Sequence, residues 1–267
     1  MTTVIQISDT HFGTERPEVV SALVEIVHEL RPTLVVLSGD VTQRARRSQF
    51  TRAAEFIHAL AAPALLAIPG NHDIPLFDPI ARSFFPYANF SRVFGEELEP
   101  SFESAELLVL TVKTTRRTRH KNGEVSAAQI ERVASRLLRA ESDQLRLVVT
   151  HQPVHVTRPQ DEENLLRGGG LAVARWCEAG GDLLLGGHIH LPYVRPLSER
   201  FPELGRRIWA VQAGTAVSHR TRAGIPNSFN AIRRAGPRRC QVERWDYDVR
   251  PGAFVRVETH ELEIDRP

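Results

Sequence analysis

The sequence predicts an α/β protein whose sheet is covered by helices on both faces. Short apolar runs alternate with segments of helical periodicity over the first quarter of the 267-residue chain. Continuously apolar runs are typical of strands buried on both faces. In addition, clusters of Asp, His, Asn and Gly follow five of these runs, at the strand ends where α/β sheets bind their ligands.

The N-terminal elements follow this alternation closely. The first strand covers about residues 3–8, and a helix is predicted from Pro17 to Leu30, where apolar positions recur every three or four residues. Pro17 is compatible with a first helical turn, and Arg31-Pro32 ends the helix. The next strand, helix and strand are predicted over residues 33–38, 48–60 and 64–68.

The pattern loosens between Ile74 and Pro100, where prolines and aromatic residues lie close together. This stretch is either a short helical excursion beside the site or a packed insertion. A strand is predicted over 102–113, and Ser126 to Gln129 has the form of a capping box that opens a helix to about Arg139. The strand 145–150 follows.

The C-terminal half begins with a predicted mobile loop over 152–170, which ends in three glycines. A helix over 171–179 leads to strands over 182–185 and 208–213. Two segments of alternating polarity, Cys240 to Val249 and Ala253 to Leu262, predict a hairpin that closes a sheet edge.

Composition restricts the classes of function. A hydrophobic content of 42% suffices for a core, and the net charge of +2 gives no general affinity for nucleic acid or acidic membranes. Cys177 and Cys240 are far apart, so neither a disulfide framework nor a thiolate zinc site is predicted. No apolar run reaches the ~18 residues of a membrane span. We expect a cytoplasmic protein.

The five polar clusters predict a metal site with mixed nitrogen and oxygen ligands. Beyond the ends of parallel strands, groups that are distant in sequence converge. Asp-x-His and His-x-His place alternate side chains on one side of the backbone. Four imidazoles, two carboxylates and an amide exceed the needs of one tetrahedral ion and suit two divalent ions. The candidate ligands are Asp9, His11, Asp40, Asn71, His151, His188 and His190.

These blocks, in this order, resemble the five-block pattern of the calcineurin-like metallophosphoesterase superfamily. Among its branches they look most like the bacterial class III cyclic-nucleotide phosphodiesterase group. The resemblance implies a four-layer α/β/β/α sandwich with two mixed β-sheets. It agrees with one domain over residues 1–267, in which about 207–267 would complete the second sheet.

The resemblance also implies a role for each site residue. One metal would be held by Asp9, His11 and His190, and the other by Asn71, His151 and His188, with Asp40 bridging them. His72 would remain free of metal, lie next to the substrate phosphate and stabilise the transition state or protonate the leaving oxygen. Asp73 would orient His72.

The implied reaction is hydrolysis of a phosphodiester. Two divalent ions ~3.5–4 Å apart lower the pKa of a bridging water, so that hydroxide attacks phosphorus in line. The ions would be Mn, Fe or Zn, since affinity, availability and geometry favour different metals. The alternatives are a phosphomonoesterase, a pyrophosphatase or a nuclease of the same superfamily, and a non-catalytic scaffold. The absence of a DNA-binding segment and of a basic excess argues against nucleic acid.

The sequence beyond His190 supplies candidate substrate contacts. Thr215, His219 and Arg222 lie in a stretch that resembles many uncharacterised superfamily members, and we expect one of them near the phosphate. The alternative for the arginine is a surface ion pair. The expected partners are a small phosphoester and, by the same resemblance, a second copy of the chain in a homodimer, whereas neither a membrane nor a nucleic acid is expected as a partner.

Overall fold

The computed structural model describes residues 2–222 and 224–265. In this part of the chain six α-helices and twelve strands alternate, with a few short 3-10 turns between them. The helices are α1 (Pro17–Leu30), α2 (Arg47–Leu60), α3 (Pro79–Phe84), α4 (Ala88–Phe94), α5 (Ala127–Leu137) and α6 (Gly169–Glu178). The strands are β1 (Thr3–Ile7), β2 (Leu34–Leu37), β3 (Leu65–Ala67), β4 (Ser101–Ser104), β5 (Leu107–Thr111), β6 (Leu145–Val149), β7 (Leu183–Gly186), β8 (Tyr193–Pro196), β9 (Trp209–Gln212), β10 (Ser228–Gly236), β11 (Arg239–Asp248) and β12 (Ala253–Glu263).

The strands form two mixed sheets of six. The first sheet has the order β12-β11-β10-β1-β2-β3, and the second has the order β4-β5-β6-β7-β9-β8. In the first sheet β1, β2 and β3 are parallel, whereas β10 to β12 are antiparallel. In the second, four parallel strands lie between the antiparallel edges β4 and β8.

Successive side chains of the central strands face opposite sides of their sheet, and this divides the core into three layers. On β1, Ile5 and Ile7 pack outward against α1 and α2, while Val4 packs inward between the two sheets. On β6, Val148 packs outward against α5 and α6, whereas Leu147 packs inward. Both faces of each central strand are therefore buried. The predicted four-layer α/β/β/α sandwich is confirmed.

The C-terminal strands differ from the sequence expectation. Among the described residues from 207 onward, only β9 joins the second sheet, whereas β10 to β12 extend the first sheet. β10 pairs antiparallel with β1, and Asn230 donates a hydrogen bond to the side-chain carbonyl of buried Gln6 at 3.0 Å. This polar pair joins residues 224 positions apart, so local periodicity carries no sign of it.

Several boundaries were also wrong. The single strand predicted over 102–113 is the hairpin β4-β5, which turns at Ala105-Glu106, and β8 and β10 were not predicted. The region 74–100 contains the short helices α3 and α4. The loop 152–170 contains a 3-10 turn over 159–164 and buries Asp161 and Asn164. Within the described residues, no helix combines the length and the apolar character needed to cross a bilayer.

Candidate metal centre

The seven predicted ligands lie together at one edge of the sandwich. β1, β2 and β3 of the first sheet end just before the residues that supply Asp9, His11, Asp40 and Asn71. β6 and β7 of the second sheet end just before the residues that supply His151, His188 and His190. Because the parallel strands of both sheets end at this edge, groups far apart in sequence become neighbours.

A first group consists of Asp9, His11 and His190. His190 Nε2 lies 3.2 Å from Asp9 Oδ1 and 3.2 Å from His11 Nε2, and His11 Nε2 lies 3.7 Å from Asp9 Oδ1. Two ring nitrogens and a carboxylate oxygen thus point at one another. Their ligand atoms are mutually close enough to bind a single ion.

A second group contains Asp40, His151, His188 and Asn71. His151 Nε2 lies 3.3 Å from Asp40 Oδ2 and 3.3 Å from the Asn71 side-chain oxygen. The His151 and His188 rings meet edge to face with centroids 5.2 Å apart. Asp40 also approaches the first group, since its Oδ2 lies 3.9 Å from His11 Nε2. A single carboxylate is therefore shared by both groups.

The backbone around the ligands is strained. Among the described residues, eight that are not glycine have a positive φ, and five of them are candidate ligands. Such left-handed conformations are costly for residues with a Cβ and recur at functional sites. They allow each ligand to turn back toward the strand ends. The five are Asp9, His11, Asp40, His188 and His190.

Three glycines of the motifs, Gly39, Gly70 and Gly187, leave room for neighbouring atoms that a Cβ would overlap. Only Gly39 has a positive φ, of +102°. A Cβ on Gly70 would lie 2.2 Å from Asp40 Oδ1, and one on Gly187 would lie 2.0 Å from the Ser8 hydroxyl oxygen. A left-handed turn therefore requires glycine only at position 39, and the other two glycines admit close packing against neighbouring atoms of the site.

Burial and the charge of Asp40 together give the imidazoles two different charge states. Burial lowers the pKa of His11 and of His188 to about 3, so both rings are neutral at pH 7. Burial acts in the same direction on His151, but the charge of Asp40 and its hydrogen bond outweigh it and raise the pKa to about 9. For Asp40, burial is outweighed by His151 and His72, which hold its pKa well below the usual value.

Buried atoms without partners show that the site suits metal ions. Both ring nitrogens of His188 are buried and have no hydrogen-bond partner among the described residues. Asp9 Oδ1 is likewise buried and meets His190 without hydrogen-bond geometry. Buried polar atoms without partners are costly in a native structure, unless a ligand satisfies them. Imidazole nitrogens and carboxylate oxygens together are suited to divalent metal binding.

His72 lies beside the metal ligands. Its ring stacks edge to face on His11, with the centroids 4.9 Å apart, and its backbone amide donates to Asp40 Oδ1 at 2.8 Å. His72 Nδ1 lies 2.9 Å from the Gln43 carbonyl and donates to it. The Gln43 carbonyl therefore sets the ring orientation and directs Nε2 to the pocket.

Asp73 does not orient His72, contrary to the expectation. Its carboxylate accepts hydrogen bonds from the amides of Val41, Thr42 and Gly70 at 3.0, 2.7 and 2.9 Å, and from the Thr42 hydroxyl at 2.8 Å. It thereby ties the loop after β2 to the turn after β3. Asp73 acts on the site by positioning these two loops.

Four of the candidate ligands line a pocket of about 310 Å³, and these are Asp40, Asn71, His188 and His190. Its walls carry cationic and polar side chains and two aliphatic ones, which are Gln43, Arg44, Ile74, Leu76, His120, Lys121 and Arg220. Arg220 Nη1 lies 3.1 Å from His72 Nε2 and 3.0 Å from the Gln43 side-chain oxygen. The pocket therefore offers positive charge directly above the candidate ligands.

The three candidate substrate residues lie outside this lining. Thr215 is buried and donates to the Arg220 carbonyl, while His219 is exposed. Arg222 forms an ion pair with Asp161 at 2.9 Å, and because Asp161 is buried this pair is not the surface ion pair considered as the alternative. Arg220, two residues before Arg222, is the arginine that faces the pocket.

Three of the pocket residues missed by sequence reasoning lie next to recognised motifs. Gln43 and Arg44 follow Asp40 within the same loop, and Arg220 opens the Arg220-x-Arg222 pair. Proximity in sequence was the available signal for all three. It could not tell which arginine points inward, because the direction depends on how the loop after β9 crosses the site.

Comparison with known proteins gives the same assignment. The family model for calcineurin-like phosphoesterase matches residues 2–192. No curated protein matches the chain. Among solved structures, a purple acid phosphatase from yellow lupin (Lupinus luteus) seeds is similar with a TM-score of 0.73 and 12% identity, over 98% of this chain and 53% of that one. The chain thus spans about half the length of the lupin phosphatase.

Two further structures share the fold over their full length. A dimetal phosphatase from Danio rerio is similar with a TM-score of 0.67 and 14% identity, over 99% of both chains. Vacuolar protein sorting 29 from Cryptosporidium parvum has a TM-score of 0.52 and 16% identity, over 98% of both chains. Since the family model covers most of the chain and these folds agree with it, the chain belongs to the calcineurin-like phosphoesterase family.

Proposed function

We propose that the protein is a binuclear metal-dependent phosphodiesterase that hydrolyses a small phosphodiester. The observation that carries this proposal is the position of Asp40 between the two groups, since its Oδ2 lies 3.3 Å from His151 Nε2 and 3.9 Å from His11 Nε2, with His72 beside it in one pocket. The class III cyclic-nucleotide phosphodiesterase group is the branch that we propose for it. The buried, free thiols Cys177 and Cys240 suit the cytoplasmic location that we propose with it.

The proposed metal ligands fall into the two groups described for the candidate metal centre. Asp9, His11 and His190 would hold one ion, and Asn71, His151 and His188 would hold the other, with Asp40 between them. When bound, two divalent ions supply Lewis-acid activation of a water and neutralise phosphate charge. His151 Nδ1 donates to the Ser38 carbonyl at 2.9 Å, which leaves Nε2 as its ligand atom.

We assign His72 the role of general acid, which protonates the leaving oxygen. With Nδ1 held by the Gln43 carbonyl, Nε2 is the atom that faces the pocket. Nε2 lies 3.1 Å from Arg220 Nη1 and accepts from it. A substrate phosphate would draw the Arg220 guanidinium onto its own oxygens, because a hydrogen bond between two charged groups is stronger than one with a single charged partner. His72 Nε2 would then take up a proton from solvent and give it to the leaving oxygen as the bond between phosphorus and that oxygen breaks.

The first experiment compares a diester with a monoester. Protein stripped of metal and reloaded with Mn, Zn or Fe is given bis(p-nitrophenyl) phosphate or p-nitrophenyl phosphate. Metal-dependent cleavage of the diester with a higher kcat/KM supports the proposal. A preference for the monoester would instead indicate a phosphomonoesterase, and silence on both substrates in folded, metal-loaded protein would indicate a scaffold.

His72→Ala tests the assigned acid. We expect kcat for the diester to fall by about 10²–10⁴-fold, which is the usual contribution of a positioned proton donor. Bound metal, measured by elemental analysis, should stay as in the wild type because His72 has no ligand role in the proposal. Full activity in this variant would remove His72 from the mechanism, and loss of metal would make it a ligand.

A further inference from the structure

The short helix α3 turns its apolar side chains toward solvent. Phe77, Ile80, Phe84 and Phe85 are 79%, 72%, 73% and 66% exposed, and we call these four residues the apolar face. Ile80 and Phe84 are four residues apart, on one side of the helix. None of the α3 residues is buried. A surface helix normally buries its apolar side, and a cluster of exposed aromatic residues marks an interaction site.

The polar side of α3 is hydrogen-bonded to the rest of the protein. The Arg82 guanidinium donates to the Arg117 carbonyl at 2.7 Å, to the Arg119 carbonyl at 2.6 Å and to the Pro75 carbonyl at 3.1 Å. In return Arg117 donates to the Ser83 carbonyl at 2.6 Å. These bonds fix the orientation of the helix, so the apolar face points outward as part of a defined structure.

Basic side chains lie beside the apolar face. The segment bonded to α3 contributes Arg117, Arg119, His120 and Lys121, and Arg44 lies over the Phe77 ring at 5.3 Å. We call these five residues the basic rim. Glu124 and Glu163 pair with Arg119 and Lys121. Within the described part of the chain, Arg44 and Arg117 have no carboxylate at ion-pair distance. Asp78, which caps α3, is the acidic group next to the apolar face.

The apolar face and its rim continue into the proposed active site. Leu76 precedes Phe77 and lines the pocket, as do Arg44, His120 and Lys121 of the basic rim. Whatever covers the apolar face therefore also lies at the mouth of the pocket.

We propose that the apolar face and the basic rim dock on an anionic phospholipid surface. Aromatic and aliphatic side chains surrounded by arginine and lysine are what an interfacial segment needs, since the rings enter the headgroup boundary while the charges meet anionic headgroups. A second copy of the chain fits less well. In a two-fold dimer this surface would meet itself, which would place basic rim against basic rim. Docking would bring the pocket to the membrane surface without any spanning segment.

The test is sedimentation of the metal-loaded protein with vesicles. Vesicles of phosphatidylcholine with phosphatidylglycerol are compared with vesicles of phosphatidylcholine alone, at increasing sodium chloride. We expect binding to the anionic vesicles only, weakened by salt because screening shortens the range of the charges. Phe77→Ser combined with Phe84→Ser should weaken the partition about tenfold or more. Arg117→Gln should weaken it about fivefold.

Val249→Ser is the matched control, because Val249 is 72% exposed and follows β11, outside the apolar face. It should bind vesicles like the wild type. All variants should keep the metal-induced thermal stabilisation, which reports folding independently of any hydrolytic activity. Absence of wild-type binding to anionic vesicles would overturn the proposal, as would equal binding by the double variant. A wild-type dimer that the double variant converts to monomer would assign the face to a second copy.

Discussion

At the scale of single residues, Arg220 contacts both the proposed general acid, His72, and the candidate metal ligand His190. Its side chain contacts His72 Nε2, while its backbone carbonyl accepts from His190 Nδ1. The carbonyl fixes the tautomer of His190 and leaves Nε2 for a metal. The guanidinium is placed to bind phosphate oxygens. The carbonyl belongs to the backbone and the guanidinium to the side chain. A side-chain substitution therefore removes the phosphate contact and keeps the hydrogen bond from His190.

Arg220→Ala should therefore weaken phosphate binding and spare metal binding. Loss of a charge-assisted hydrogen bond costs about 1.5–3 kcal/mol, so we expect the KM for the diester and the inhibition constant of inorganic phosphate to rise about tenfold or more. Steady-state kinetics and calorimetry with inorganic phosphate measure both. Arg92→Ala is the control, since Arg92 is exposed and bonded to Asn89. Unchanged phosphate affinity would exclude Arg220 from the binding site.

The two charge states of the imidazoles predict proton release on metal binding. With a pKa near 9, His151 is protonated at pH 7 and must lose its proton to bind an ion, whereas His11 and His188, with a pKa of about 3, are already neutral. Metal affinity should rise with pH up to about 9, by about tenfold per unit for each proton displaced. Calorimetry in buffers of different ionisation enthalpy measures the protons released. Binding without proton release at pH 7 would contradict the charge state of His151.

Among the structural elements, the turn after β3 controls the shared carboxylate. Gly70 lies against Asp40, and Asp73 in the same turn accepts from the amides that follow Asp40. Burial, and then the charge of Asp40, raises the pKa of Asp73 to about 7, although its hydrogen bonds from Gly70 and Thr42 act in the opposite direction. The hydrogen bonds of Asp73 join the turn and the loop after β2 into one unit.

Gly70→Ala should displace that unit. Its Cβ would lie 2.1 Å from the Asp40 backbone nitrogen, which cannot rotate away as a side chain can. We expect a loss of about 1–3 kcal/mol of unfolding free energy, typical of overpacking, and weaker metal binding. Thermal unfolding and metal titration measure these. Gly205→Ala should change neither, because nothing lies within 4 Å of a Cβ there. Equal behaviour of the two variants would show that the turn adapts.

At the scale of the whole molecule, the proposed metal centre takes its ligands from both sheets. Four of its ligands follow strands of the first sheet and three follow strands of the second. An ion held by both sets links the two sheets at this edge. Binding to the folded state alone stabilises a protein by mass action.

Metal loading should accordingly raise the unfolding temperature of the stripped protein. At a metal concentration of about a hundred times Kd, the gain is about 2.7 kcal/mol, or several degrees for a chain of this size. Differential scanning calorimetry with and without chelator measures it. His72→Ala should retain the gain, and Asp40→Asn should lose most of it. A gain that survives in Asp40→Asn would place the ions elsewhere.

What the sequence determined by itself was local. The predicted bounds of α1 agree with the structure, because Pro17, the helical periodicity and Arg31-Pro32 act within a few residues. The seven candidate ligands could be selected because each directly follows an apolar strand. The order of these blocks indicated the family, and with it the four-layer sandwich.

Only the tertiary structure decided what depends on long-range packing. The pairing of β10 with β1 joins opposite ends of the chain, and the inward direction of Arg220 instead of Arg222 depends on the path of a loop. Asp73 holds two loops because β2 and β3 end side by side. The outward apolar face of α3 follows from hydrogen bonds that Arg82 makes to a segment 35 and 37 residues away. Such contacts are set by the three-dimensional arrangement and leave no periodic pattern in the sequence.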